Sequence, residues 1–140
     1  MSRAPLLTTL ICFALVGCNG PKGSPEGSVK SFYSAAEDHD WETMVGIIEP
    51  DSLKKVGAQR VQAFYADMFK DVRAVNVSIQ EIRVVQPEKE AVVSFQCTAT
   101  FRALGEMAYD RGCADIYTLK SHDGKWYIVL PATQQLRPAL

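Results

Sequence analysis

Several features that would announce a function are missing from this sequence. Its formal net charge is −1, from 15 Lys and Arg against 16 Asp and Glu. A balance so near zero supplies no long-range field to gather nucleic acid or acidic lipid. There is no run of lysine and arginine, no phosphate-cradling G-x-x-x-x-G-K-[ST] loop and no G-x-G-x-x-G turn, so nucleic acid is excluded as a first reading. Histidine is scarce, with only His39 and His122, and no C-x-x-C or H-x-x-x-H spacing occurs. A zinc site built from two cysteines and both histidines lacks the usual ligand spacing, so neither a metal nor another cofactor is expected. No apolar run approaches the roughly 20 residues of a membrane-spanning helix. Internal repeats and low-complexity segments are absent too. What is present suits one globular domain: 140 residues, 47% hydrophobic and 22% charged.

The amino-terminal stretch is the most informative local feature. One positive charge at Arg3 precedes the apolar residues 6–16, and small residues follow. That order describes a secretory signal. Leu15-Val16-Gly17-Cys18 resembles the bacterial lipobox, in which a small residue precedes an acylated cysteine. The resemblance implies removal of residues 1–17, a diacylglycerol (and palmitate-like acyl chains) on Cys18, and a short lipidated tether over residues 18–23. Each buried methylene contributes about 0.8 kcal/mol, so two or three acyl chains hold a protein to a bilayer. The expected location is the bacterial cell envelope. Asn19, where an inner-membrane retention signal has aspartate, favours the periplasmic face of the outer membrane in a cell with two membranes.

Of the four cysteines, Cys12 falls in the removed segment and Cys18 carries lipid. The remaining pair, Cys97 and Cys113, would reach an oxidising compartment, where a disulfide is expected. If their segments pair as a hairpin centred near Gly105, the two lie opposite each other, close enough for a bridge. The alternative is a pair of reduced, buried thiols.

Periodicity divides the domain, residues 24–131, into a helical and a stranded half. Ser24-Pro25-Glu26 reads as a helix start, and Val29, Phe32, Tyr33 and Ala36 form one apolar stripe. Asp40 caps a second helix with the face Trp41, Met44, Val45 and Ile48, which Pro50 ends. A third helix is expected over about residues 51–70, its inward face Leu53, Val56, Val61, Phe64, Tyr65 and Met68. The period then becomes two. "AVNVSIQEIRVV" slips phase near Gln80-Glu81, which predicts a bulge. "AVVSFQCTATFRA" alternates cleanly, "CADIYTLK" is a third strand, and "WYIVLP" is the last, after an Asp-Gly turn. The tail, residues 132–140, has no period. Helices followed by strands indicate α+β, with three N-terminal helices packed on a curved antiparallel sheet of about four strands.

"SVKSFYSAAEDHDWETMVGIIEPDS" and "DGKWYIVLP" are similar to the opening and the final hairpin of small NTF2-like domains. In particular they resemble the lipoproteins of the DUF4878, lumazine-binding-like or SnoaL-like group. The resemblance implies a cone in which sheet and helices enclose a pocket. Some such proteins are enzymes of the ketosteroid isomerase or polyketide cyclase type, others only bind. A catalytic member would need a general base and an acid that stabilises an enolate.

Weak candidates for that chemistry are Asp115, Tyr117 and His39. If Cys113 faces inward, Asp115 and Tyr117 share its face, and burial would raise the Asp115 pKa. In the opposite phase Ala114 and Ile116 would be buried and Asp115 solvated. His39 lies between Asp38 and Asp40 and would titrate near neutral pH, though the cluster also serves as a helix break. Tyr33, Phe64, Tyr65 and Trp126 would line the pocket or simply form core. The reading is a non-catalytic envelope lipoprotein that binds a small apolar ligand in the cone or a protein partner. A homodimer through the sheet face bearing Gln96, Thr98 and Thr100 would fit the family. The alternatives are an enzyme using a pocket carboxylate and a structural accessory domain with a filled cone.

Overall fold

The computed structural model describes residues 20–130. Cys18, the lipobox, the signal segment and the tail 132–140 lie outside the described residues. Four helices precede four strands: α1 (Pro25–Glu37), α2 (Trp41–Gly46), α3 (Pro50–Val56), α4 (Ala58–Phe69), β1 (Val72–Gln86), β2 (Glu90–Phe101), β3 (Tyr109–His122) and β4 (Lys125–Ile128). The strands form one antiparallel meander in the order β1-β2-β3-β4.

The first two helices start where local chemistry dictates. Ser24 Oγ accepts the Gly27 N–H at 3.2 Å, and Pro25 sits in the first turn, where its missing N–H goes unneeded. The expected stripe of Val29, Phe32, Tyr33 and Ala36 is buried. Asp40 caps α2, accepting the Thr43 N–H at 3.1 Å and the Thr43 hydroxyl at 2.6 Å.

The third helix departs from expectation. Pro50 opens α3 and does not close α2, which has already ended at Gly46. Between them the chain turns to join the sheet. Ile48 bridges to Ile128, the Ile128 N–H donates to the Ile47 carbonyl at 2.9 Å, and the Glu49 N–H donates to the Ile128 carbonyl at 2.8 Å. The expected helix over residues 51–70 is in fact two. Gly57 has φ 98°, a left-handed value that glycine adopts readily, and it separates α3 from α4. The described helices therefore number four, not three. After the break, Val61 and Tyr65 are buried and the stripe runs on to Phe69. Met68 falls on its flank and is 48% exposed, so it is not a core residue.

The sheet follows the predicted alternation. A register shift between Ile79 and Glu81 is the expected bulge. Cys97 pairs directly with Cys113 around a hairpin turned at Gly105, whose φ is 80°. The two cysteines are disulfide-bonded, with Cα atoms 4.9 Å apart. Val93, Phe95 and Cys97 face the helices and are buried, while Gln96 and Thr98 face away and are exposed. The open phase of β3 is also resolved. Tyr117 pairs with Val93 and Asp115 with Phe95, so both lie on the inner face; Ile116 points outward, 64% exposed.

Candidate functional site

Aromatic rings from helices and sheet meet in the core between them. α1 supplies Phe32 and Tyr33, α4 supplies Tyr65 and Phe69, β2 supplies Phe95 and β3 supplies Tyr117. Phe95 meets Tyr117 at 5.0 Å and Tyr33 at 5.5 Å, both edge-on. Phe32 meets Tyr65 at 5.2 Å. Edge-to-face contacts of this kind are favoured by the ring quadrupoles. Tyr33 and Tyr117 lie parallel, 3° apart in plane, with hydroxyl oxygens 2.8 Å apart in a hydrogen bond.

This setting holds the phenols neutral. Burial pushes the Tyr33 hydroxyl up to about 12, against the opposing effect of its bond to Tyr117. Burial also raises Tyr65, with the neighbouring Tyr33 adding to it. Tyr117 rises well above the usual phenol value, again through burial first. The negative charge of Asp115 raises all three. Chemically, the cluster offers hydrogen-bond donors beside a carboxylate.

Asp115 nevertheless lacks the burial that the sequence reading required of it. It is exposed, and its Oδ1 accepts the N–H of Ile116 at 2.8 Å. His39 is engaged elsewhere. It has φ 55°, stacks on Trp41 with ring centroids 5.1 Å apart, and places Nε2 2.8 Å from the Val72 carbonyl. A carbonyl only accepts, so Nε2 carries the proton and His39 closes the helix break onto β1. The Arg73 guanidinium donates to that same carbonyl at 3.1 Å. Tyr33, Phe64 and Tyr65 share the ring cluster, Phe64 meeting Tyr65 at 5.3 Å. Trp126 is half-buried on β4, outside those ring contacts. Its backbone N–H donates to the Lys22 carbonyl at 2.9 Å and its carbonyl accepts the buried Ser28 hydroxyl at 2.7 Å.

Two features add to the sequence reading, the first unread there and the second read only as a face. One is Glu49, a carboxylate only 4% exposed. Its Oε2 accepts the Ser52 hydroxyl at 3.0 Å, and its Oε1 lies 3.7 Å from His122 Nε2 and 3.8 Å from Lys120 Nζ. Ser52 Oγ in turn accepts the Leu130 N–H at 3.2 Å, so the cluster ties α3 to the segment that follows β4. The three-residue spacing of Glu49 and Ser52 was the available signal. The other is a trough of about 600 Å³ on the outer sheet face, lined by Asn76, Ser78, Gln96, Thr98, Gly112 and Ala114 and bordered by the disulfide. No lining residue is charged, and the alternation of β2 had already placed Gln96 and Thr98 there.

No protein-family profile matches the chain, and no curated protein does. Solved structures do resemble it. A ketosteroid isomerase-like protein from Erwinia carotovora atroseptica superposes with a TM-score of 0.60 at 15% identity, covering 74% of this chain and 86% of that one. A candidate dehydratase from the NTF2-like family of Streptomyces avermitilis gives 0.52 at 13% identity, covering 72% and 86%. A SEC-C motif containing protein from Rhodopseudomonas palustris gives 0.56 at 18% identity, covering 77% of each chain. The domain thus has the NTF2-like, ketosteroid isomerase-like fold. At these identities the likeness is one of fold, and function must be argued from the site.

Proposed function

We propose that the chain is a bacterial envelope lipoprotein, held to a membrane by an acylated Cys18, whose NTF2-like domain binds a protein partner and turns over no substrate. The outer membrane is the favoured location, because Asn19 follows the cysteine. The observation that carries the reading is occupancy. The volume where this fold keeps a pocket is packed with Phe32, Tyr33, Tyr65, Phe95 and Tyr117, and the Tyr33 and Tyr117 hydroxyls bond each other. A small apolar ligand would have to displace those rings. The outer face offers a trough lined by small polar side chains and no charge, and depletion of charge is one mark of an interface core. A second copy stacked sheet on sheet is one occupant such a face accepts; a different envelope protein is the other.

One observation favours the alternative of a pocket enzyme: neutral tyrosine hydroxyls share an electrostatic neighbourhood with Asp115. That chemistry requires the ring stack to open. Native mass spectrometry of the full-length protein, extracted from its own envelope, separates the readings. A photo-crosslinking residue at Thr98 supplies the location. The expected result is a retained protein that crosslinks from Thr98. A retained small molecule, with no product from Thr98, overturns the proposal in favour of the pocket.

A further inference from the structure

The far half of β1 is built differently from the rest of the sheet. β1 is an edge strand, and among the described residues no strand pairs with its outer side. An open edge presents unpaired N–H and C=O groups, and soluble proteins usually blunt it with lysine, proline or an inward charge. Here the segment Glu81-Ile82-Arg83-Val84 has neither lysine nor proline; its charges, Glu81 and Arg83, are of opposite sign, and register shifts at Gln80 and Val85 close it at both ends. Its apolar side chains and the adjoining Val85 are open to water: Ile82 is 41% exposed, Val84 60% and Val85 52%. Ile82 and Val84 point to the inner face through their pairing with Val93 and Ala91.

The charges in the same segment are self-complementary. Glu81 and Arg83 flank Ile82 and point to the outer face, opposite Ser94 and Val92. Both are exposed, and neither side chain makes an ion pair or hydrogen bond with another described residue. If a second β1 runs antiparallel with Ile82 facing its own copy, Glu81 of each chain stands opposite Arg83 of the other. The two-fold axis then creates two opposite-charge cross-strand pairs on one face and an Ile82–Val84 apolar strip on the other. Centring the axis on Val84 instead puts Arg83 opposite Val85 and leaves the acids and bases unmatched. The register shifts at Gln80 and Val85 bound the ladder on either side.

We propose that two copies of this chain join edge to edge through the 81–83 segments of β1, making one continuous eight-stranded sheet. This goes beyond the binding reading above and stands apart from it. The occupied element is the edge of β1, while Thr98 and the trough stay free for a partner.

The test is the self-association of the full-length chain in detergent, by sedimentation equilibrium over a wide concentration range. Arg83→Glu turns both cross-strand attractions into repulsions and is expected to weaken the dimer about tenfold or more. The exchange Glu81→Arg with Arg83→Glu restores both pairs and is expected to return the dimer to within about threefold of the wild type. Both variants change exposed side chains, and near-ultraviolet circular dichroism checks that each is folded. Thr98→Arg is expected to leave the dimer intact. A monomeric wild type, a dimer indifferent to Arg83→Glu, or a failure of the exchange to restore it overturns the proposal. So does a dimer lost on Thr98→Arg, which assigns the contact to the sheet face. Crosslinking from Thr98 to another protein is unaffected by these edge variants, so the failure of one proposal leaves the other standing.

Discussion

Neighbouring residues of β2 sit in two different solvents. Val93, Phe95 and Cys97 are 0%, 2% and 6% exposed, whereas Gln96 and Thr98 between and beyond them are open to water. On the inner side each ring has ring neighbours on helices and strands, and even the buried hydroxyls of Tyr33 and Tyr117 satisfy each other. On the outer side the trough is lined by Asn76, Ser78, Gln96 and Thr98, side chains able to donate and accept. The inner face holds the fold together, and the outer face leaves its polar side chains open to water.

The sharpest way to break this comparison is to cut into the inner side. Phe95→Ala removes a ring that touches both Tyr33 and Tyr117. It is expected to cost about 3–5 kcal/mol in denaturant unfolding, the range for a buried phenylalanine that leaves a cavity. A cost under about 1 kcal/mol would mean that the interior is loose enough to admit a ligand.

Next in size is the disulfide, which joins β2 to β3 across a separation of 16 residues. Its removal by Cys97→Ala with Cys113→Ala is expected to cost about 3 kcal/mol through the freed loop. Thiol titration of the unreduced protein checks the bridge directly: two titratable thiols at these positions would refute it.

Much of this architecture was legible before any coordinates. The strand alternation fixed the faces of β2, the phase slip marked the bulge at Gln80, and the hairpin centred at Gly105 put Cys97 opposite Cys113. Those signals are local and periodic, so they survive without tertiary information. The helical half was harder. Gly57 was a visible breaker, yet the apolar spacing on either side of it still read as one helix, and a positive φ leaves no periodic trace. Pro50 suits either a helix end or a first turn, and only the pairing of Ile48 with Ile128 decides between them. The ring cluster was legible only in part: Trp126 lies outside its ring contacts, and Phe32, Phe69 and Phe95 join it unannounced. Tyr33, Tyr65 and Tyr117 do converge, but whether they enclose space depends on packing across helices and strands far apart in sequence. The phase of β3 was open in the sequence; Asp115 pairs with Phe95 on the inner face and is nevertheless exposed.

Alkaline pH probes the inner side through its phenols. Tyr33 titrates near 12 when folded and near 10 when unfolded, because burial disfavours the phenolate. The folded state therefore holds this proton more tightly. Its contribution to stability is fully present below pH 10 and is lost as the pH rises towards 12. Over that window stability is expected to fall by about 1.4 kcal/mol per pH unit for each such tyrosine, with Tyr65 and Tyr117 shifted in the same direction. Denaturant unfolding at a series of pH values measures the slope. A flat profile from pH 10 to 12 would show that these hydroxyls meet solvent and that the interior is open.

The smallest expected effect carries the comparison to the outer side. Thr98 lines the trough and is exposed, so Thr98→Ala should change the stability of the isolated chain by no more than about 0.5 kcal/mol. Its effect on the partner-bound chain should be larger, because an uncharged side chain at the centre of an interface is desolvated only when the partner is present. The measurement is therefore a pair: unfolding of the purified chain, and retention of the partner on extraction from the envelope. If Thr98→Ala costs more than 1 kcal/mol in the purified chain at micromolar concentration, the face is already covered by a second copy. The sheet-on-sheet dimer then becomes the occupant, and dilution should abolish the excess.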